Sequence, residues 1–103
     1  MENAAALALR LANALYDAIM SDRYDGAERA QLNTAHMIVT SLLHLLTVNQ
    51  VEASSDIADE TGNAEQQLRE GERRGITTTF RLIDVLNNLL EPADRVLVPF
   101  TGN

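Results

Sequence analysis

The stretch AQLNTAHMIVTSLLHLLTVNQV, residues 30–51, decides the fold class of this chain. It runs for 22 residues without a formally charged side chain, although 22% of the 103 residues are charged. Wound as a helix at about 100° per residue, it gathers its apolar side chains on one broad face. That face holds Leu32, Ala35, Val39, Leu42, Leu43 and Leu46, and Ile38 and Leu45 widen it. The pattern predicts a central helix that is hidden over most of its surface.

The same stretch is long enough to cross a bilayer, but its composition argues against a membrane span. Ten of its 22 residues are polar: Gln31, Asn33, Thr34, His36, Thr40, Ser41, His44, Thr47, Asn49 and Gln50. We therefore expect no membrane partner.

Helices are also predicted on both sides of this stretch. Residues 4–20 are rich in Ala and Leu and contain no Gly or Pro, so they favour a first helix. Asp25 and Glu28 have the spacing of a capping box, which predicts that the second helix begins near Gly26. Its apolar phase continues through Ala53 and Ile57, so we predict one helix over residues 26–60 that stops at Gly62.

The rest of the chain is divided by its glycines, because Gly inside a helix costs about 1 kcal/mol relative to Ala. With Gly62, Gly71 and Gly75 as breaks, a third helix is predicted over residues 64–74 and a fourth over 77–91. The tail, residues 92–103, is predicted to be extended, with its apolar part (96–100) docked on a groove. The prediction is a single all-α domain over residues 1–103, a small bundle of three to four helices.

The apolar faces exceed what a small monomer is expected to cover. A surface helix needs an apolar stripe of a little over 100°, whereas three helices here are apolar round half their circumference or more. We therefore expect homodimerisation to complete the bundle, with the first, second and last helices sharing one core. The predicted interface consists of Leu9, Tyr16, Met20, Met37, Val39, Leu42, Leu46, Leu82, Leu86 and Leu89. His36, Thr40 and His44 are predicted to form a polar seam along it.

Several kinds of chemistry are excluded by composition and spacing. The chain has no Cys, and all eight of its basic residues are Arg, which removes thiol catalysis and Schiff-base lysines. His36 and His44 are eight residues apart, about 12 Å along one helix, too far for one metal ion. We predict no catalytic residue, no metal and no cofactor, and hence no enzyme.

The net charge of −7 disfavours binding to nucleic acid phosphates and favours solubility or basic partners. The first residues lack the basic stretch of a secretory signal, so we expect a cytoplasmic protein. The predicted function is that of a small acidic, non-enzymatic interaction or regulatory protein, adaptor-like or chaperone-like, which acts as an oligomer and also binds a protein partner.

An alternative is a helix-turn-helix transcriptional regulator that uses the segment from Ile57 to Leu68. The small Ala58, Gly62 four residues later and Leu68 six residues after that have the spacing of this motif. Against it, an apolar residue is usual where Asn63 stands, and the predicted recognition helix carries three acids, Glu65, Glu70 and Glu72.

Overall fold

The computed structural model describes residues 2–96 and folds them as a bundle of four α-helices. They are α1 (Ala4–Met20), α2 (Gly26–Asn49), α3 (Ser55–Arg69) and α4 (Arg74–Asn87). Two strands of two residues each, β1 (Glu2–Asn3) and β2 (Glu52–Ala53), pair antiparallel, and a short 3-10 turn spans Pro92–Asp94. The predicted all-α bundle is confirmed.

The beginnings of the first two helices follow the predicted signals. The Asn3 side chain accepts a hydrogen bond from the Ala6 amide at 3.1 Å, and α1 has the predicted bounds. At the start of α2 the Asp25 carboxylate accepts from the Glu28 amide at 2.8 Å. The Asp25 amide in turn donates to the Glu28 carboxylate at 3.1 Å. The capping box is thus confirmed, and it begins α2 at Gly26.

The prediction that the second helix runs to residue 60 is wrong, because α2 ends at Asn49. Gln50 adopts a left-handed conformation with φ 53°, and its amide donates to the carbonyls of Leu46 and Thr47. After β2, the Ser54 hydroxyl accepts from the Ile57 amide and begins a new helix. The helical spacing of apolar residues extends past this break because α3, a separate helix, also buries apolar side chains, Ala64 and Leu68, in the same core.

The predicted break at Gly62 is also absent, since α3 continues from Ser55 to Arg69. The segment from Ile57 to Leu68 is therefore one uninterrupted helix, and the turn that a helix-turn-helix needs at Gly62 is not formed. The real break follows at Gly71, whose φ of +73° is a conformation that favours glycine. The helix predicted over residues 64–74 is therefore the second half of α3 and the turn after it.

The last helix begins and ends earlier than the predicted range of 77–91, at Arg74 and Asn87. The Asn87 side chain then holds the returning chain: its Nδ2 donates to the Val96 carbonyl, and its Oδ1 accepts from the Val96 amide, both at 2.8 Å. Pro92–Asp94 forms a 3-10 turn where extended chain was predicted. The docking predicted for residues 96–100 lies outside the described residues beyond Val96.

The four helices form a ring in which α1 and α4 each pack against both α2 and α3, while α2 and α3 lie diagonally. The Ala4 amide donates to the Val51 carbonyl at 3.0 Å, so α1 begins where α2 ends. Arg81 of α4 pairs with Glu60 of α3, and Thr78 with Gln67, so these two helices are antiparallel. Because the order of the helices round the ring is α1, α2, α4, α3, the side formed by α1 and α2 is opposite the side formed by α3 and α4.

Candidate protein-interaction surfaces

The outward face of α2 carries an uncharged stripe, which we call the α2 stripe. It consists of Asn33, Met37, Thr40, His44 and Thr47, all exposed. Successive members are separated by four, three, four and three residues, which places them along one side of a helix in the spacing of a coiled-coil seam. From Asn33 to Thr47 the stripe extends for about 21 Å. No formal charge lies on it.

The hydroxyl groups of this helix are satisfied by its own backbone. Those of Thr40 and Thr47 donate to the carbonyls of His36 and Leu43, at 2.8 and 2.7 Å. Thr34 and Ser41 make the same bond four residues back, at 3.2 and 3.3 Å. The side-chain Nδ2 of Asn49 donates to the Leu45 carbonyl at 2.8 Å. These donors therefore need no water or external acceptor, and covering them would leave no donor orphaned.

Beside the α2 stripe, α1 exposes large apolar side chains on one face. Leu9, Tyr16 and Met20 are 49%, 54% and 68% exposed, and Met37 of α2 is 71% exposed. The Tyr16 and His36 rings lie 6.3 Å apart between centroids, tilted by 48°, so they join the two helices into one surface. We call this surface, made of Leu9, Tyr16, Met20, His36 and the α2 stripe, the α1–α2 face.

The structure divides the predicted interface residues into two groups. Leu9, Tyr16, Met20 and Met37 lie on the α1–α2 face, as do the predicted seam residues His36, Thr40 and His44. The remaining side chains lie in or against the core of one chain: Val39, Leu42, Leu46, Leu82 and Leu86 are buried, and Leu89 packs against them. A second copy could reach the buried five only if the fold opened. The expectation that a partner must cover them is corrected by α3, which forms the fourth wall of the bundle.

On the opposite side, an apolar groove lies between α3 and α4. Its floor is made by Ile57, Leu82 and Val85, and Asp56, Glu60 and Arg81 line it as well. The groove has a volume of about 220 Å³. We call it the α3–α4 groove. Sequence reasoning misses it because the predicted long second helix contains Asp56 and Ile57, which belong to α3 in the structure.

A polar depression lies between α1 and α3, where Ala14, Asp17, Arg23, Glu65 and Arg69 come together. Next to it, the Arg10 guanidinium donates two hydrogen bonds to the Glu65 carboxylate. The hydrogen bond to Glu65 raises the pKa of Arg10 above its ordinary value. This depression mixes both signs of charge, so it selects for neither cations nor anions.

Neither histidine stands in a metal-binding arrangement. His36 lies against Tyr16 at the edge of the α1–α2 face, and His44 is exposed two helical turns further along α2. Within residues 2–96, no group of three or more His, Asp or Glu side chains is placed to hold a metal ion. None of the helices in this part of the chain is long and apolar enough to span a membrane.

No protein-family model matches this chain, and neither a curated protein nor a solved structure is significantly similar to it.

Proposed function

We propose that this protein is a non-enzymatic interaction module that works as a homodimer, with the α1–α2 face as the contact between the two copies. The observation that carries the proposal is the α2 stripe, which is exposed, has no Asp, Glu, Lys or Arg, and whose two hydroxyl groups, on Thr40 and Thr47, already donate to the backbone of their own helix. The cost of covering a polar surface comes mainly from donors and acceptors that lose their partners. Here the hydroxyl donors of Thr40 and Thr47 keep their partners, so the stripe donors that need new partners in the interface are those of Asn33 and His44.

The charge of the chain restricts which surface can meet its own copy. Each copy carries −7, so association through an acid-bearing surface brings like charges together and is disfavoured. The α2 stripe lies in the 22-residue stretch without formal charge. Met37, Tyr16 and Met20 add apolar area that water covers in the single chain.

The spacing of the α2 stripe fits a two-fold arrangement centred on Thr40. A dimer with two-fold symmetry uses the same patch on both copies, so each residue of the stripe meets one from the other half. With two α2 helices antiparallel, Thr40 lies opposite the partner's Thr40, Met37 opposite the partner's His44, and Asn33 opposite the partner's Thr47. None of these pairs brings together two acidic or two basic side chains, because the stripe contains no Asp, Glu, Lys or Arg.

The test is the mass of the protein in solution with and without a charge on the stripe. Sedimentation velocity at 1–50 μM is expected to give a dimer for the natural sequence. Met37→Glu replaces an apolar side chain of the interface by a carboxylate on each copy and is expected to weaken the dimer at least tenfold, since taking a charged side chain out of water is costly. The matched control is Asn63→Glu, which adds the same charge at an exposed position of α3.

Circular dichroism would show that both variants keep their helices, because both positions are exposed. A monomer for the natural sequence at 50 μM overturns the proposal. So does an equal loss of dimer in Met37→Glu and Asn63→Glu, because it would indicate a general charge effect instead of contact at the α2 stripe.

A further inference from the structure

The α3–α4 groove is a second interaction surface, and its lining indicates what it can bind. Leu82 on its floor is almost fully buried, whereas Val85 is 36% exposed and Ile57 is partly exposed. Pockets for drug-sized ligands have volumes of about 300–1,000 Å³. The groove, at about 220 Å³, is smaller. Its size suits one large apolar side chain.

The charges around this floor favour one sign of partner. Arg81 pairs with Glu60 at 3.2 Å, so the one basic side chain among the described residues that line the groove is neutralised by its neighbour. Asp56 is exposed and joins no ion pair among the described residues. The lining is therefore acidic overall, and it belongs to a chain with a net charge of −7. An apolar floor beside unneutralised acid is complementary to an apolar side chain flanked by positive charge.

The unpaired Asp56 carboxylate also has a defined place relative to Glu60, which Arg81 already neutralises. Asp56 and Glu60 are four residues apart on α3, so they lie one turn apart along one edge of the groove. A helix lying in the groove presents its own side chains with the same period, and helix-in-groove recognition uses anchors spaced in this way.

We propose that the α3–α4 groove binds a short basic amphipathic helix of a protein partner. One Leu-sized or Phe-sized side chain of that helix occupies the space over Leu82 and Val85. A Lys or Arg one turn away pairs with Asp56. Because this groove is on the side of the bundle opposite the α1–α2 face, a dimer would carry two such sites pointing away from its centre. That arrangement allows one dimer to join two copies of its partner.

The experiment uses a fluorescein-labelled, helix-forming 14-residue peptide with a central Leu and Lys on either side of it, titrated with the full chain in 50 mM salt. Fluorescence anisotropy is expected to give a dissociation constant below 100 μM for this peptide. Replacing the central Leu by Ala, or the flanking Lys by Glu, is expected to weaken binding at least tenfold. No binding of the Leu–Lys peptide at 100 μM overturns the proposal.

Variants of the protein locate the site. Val85→Lys places a positive charge in the groove and is expected to weaken binding at least tenfold. Asp56→Asn is expected to weaken it threefold or more. Asp22→Asn, in the exposed turn between α1 and α2, changes the net charge by the same amount and is expected to leave binding within twofold. Equal losses for Asp56→Asn and Asp22→Asn overturn the proposal, because only general charge attraction would remain.

Two further readouts exclude other occupants. Amide chemical shifts that move with the peptide should cluster around Ile57, Leu82 and Val85; a cluster around Tyr16 and Met37 would place the peptide on the α1–α2 face and overturn the proposal. Phe100→Ser keeps the chain at full length but makes its C-terminal segment less apolar. A tenfold gain in peptide affinity in this variant would identify that segment as the occupant and overturn the proposal, whereas unchanged affinity supports it. Sedimentation tests the dimer separately, so the two proposals fail independently.

Discussion

Helices α2 and α3 lie diagonally across the same core, and their inward faces are alike while their outward faces differ. Inward, both bury Leu and Ala: Leu42 and Ala35 in α2, Leu68 and Ala64 in α3. Outward, α3 carries acids and Arg69, as a solvated helix does, whereas α2 after Arg29 carries no charge. Burial in the core accounts for the inward pattern of both helices. It does not account for an uncharged outward face, which is why we relate that face to contact with a second copy.

The largest expected effects test whether the inward faces are equivalent. Leu42→Ala and Leu68→Ala each remove a fully buried side chain, and we expect each to lower the free energy of unfolding by about 2–5 kcal/mol. Urea unfolding followed by circular dichroism measures both. A cost below about 1 kcal/mol for Leu42→Ala would contradict its place in the core of one chain.

The same pair distinguishes two kinds of dimer. If the copies meet through the α1–α2 face, Leu42→Ala destabilises each chain but leaves the dimer dissociation constant at temperatures well below unfolding within about threefold. If the copies instead share one interlocked core, as the sequence suggests, Leu42→Ala weakens the dimer together with the fold. Sedimentation of the folded variant separates these outcomes.

The sequence predicts the apolar faces and the starts of the first two helices better than it predicts where helices end. It gives α1 and the capping box at Asp25 because both are local signals of residue type and spacing. It misses the end of α2 because Gln50, a residue that seldom adopts a left-handed conformation, takes the position where Gly is usual. The sequence predicts a break at Gly62 because the local signal there is the low helix propensity of glycine, which costs about 1 kcal/mol relative to Ala. In the structure, packing of α3 against α1 and α4 outweighs that cost.

The same limit applies to the candidate surfaces. The uncharged stretch and its exposed Met37, Thr40 and His44 are visible in the sequence because they depend on one helix alone. Which apolar side chains stay exposed to solvent depends on how α3 packs as the fourth helix of the bundle. The sequence alone does not show that α3 lies diagonally from α2. For that reason the sequence pattern predicts interface positions for Val39 and Leu86, although the chain buries them itself. The α3–α4 groove joins residues such as Ile57 and Val85, which are distant in sequence, so no local pattern could predict it.

A smaller effect is expected when Ala replaces either of two glycines, Gly62 within α3 and Gly75 at the start of α4. A Cβ on Gly75, at the start of α4, would lie 3.1 Å from the Leu68 amide nitrogen and 3.2 Å from the Gln67 carbonyl carbon. Because these are backbone atoms, α3 and α4 must move apart, and Gly75→Ala should cost about 1–3 kcal/mol of stability. Among residues 2–96, a Cβ on Gly62 would meet only the Arg10 side chain, at 3.9 Å. Gly62→Ala should therefore stabilise the protein by up to about 1 kcal/mol.

Thermal unfolding of both variants measures this contrast. The two substitutions are chemically identical and both fall inside helices, so each is the control for the other. If Gly62→Ala destabilises the protein as much as Gly75→Ala does, α3 is not the continuous helix described above, and a turn at Gly62 has to be considered again.

The smallest effect concerns Tyr24, which connects the beginning of α2 with the end of α3. Its side chain is buried, and its hydroxyl donates to the Glu72 carbonyl at 2.9 Å. Tyr24→Phe removes this hydrogen bond and should cost about 0.5–1.5 kcal/mol at pH 7.

The pH dependence gives a second readout for the same residue. Burial raises the pKa of Tyr24 above its ordinary value of 10.0, so the folded protein favours the neutral phenol. The stability that this group contributes is fully present below pH 10. It is lost as the pH rises from there through the folded-state pKa, because the unfolded chain releases the proton first. The urea midpoint of the natural protein should therefore fall more steeply than that of Tyr24→Phe between pH 9.5 and 11. Parallel slopes for the two proteins would show that the phenol is not held in its buried position between α2 and the end of α3.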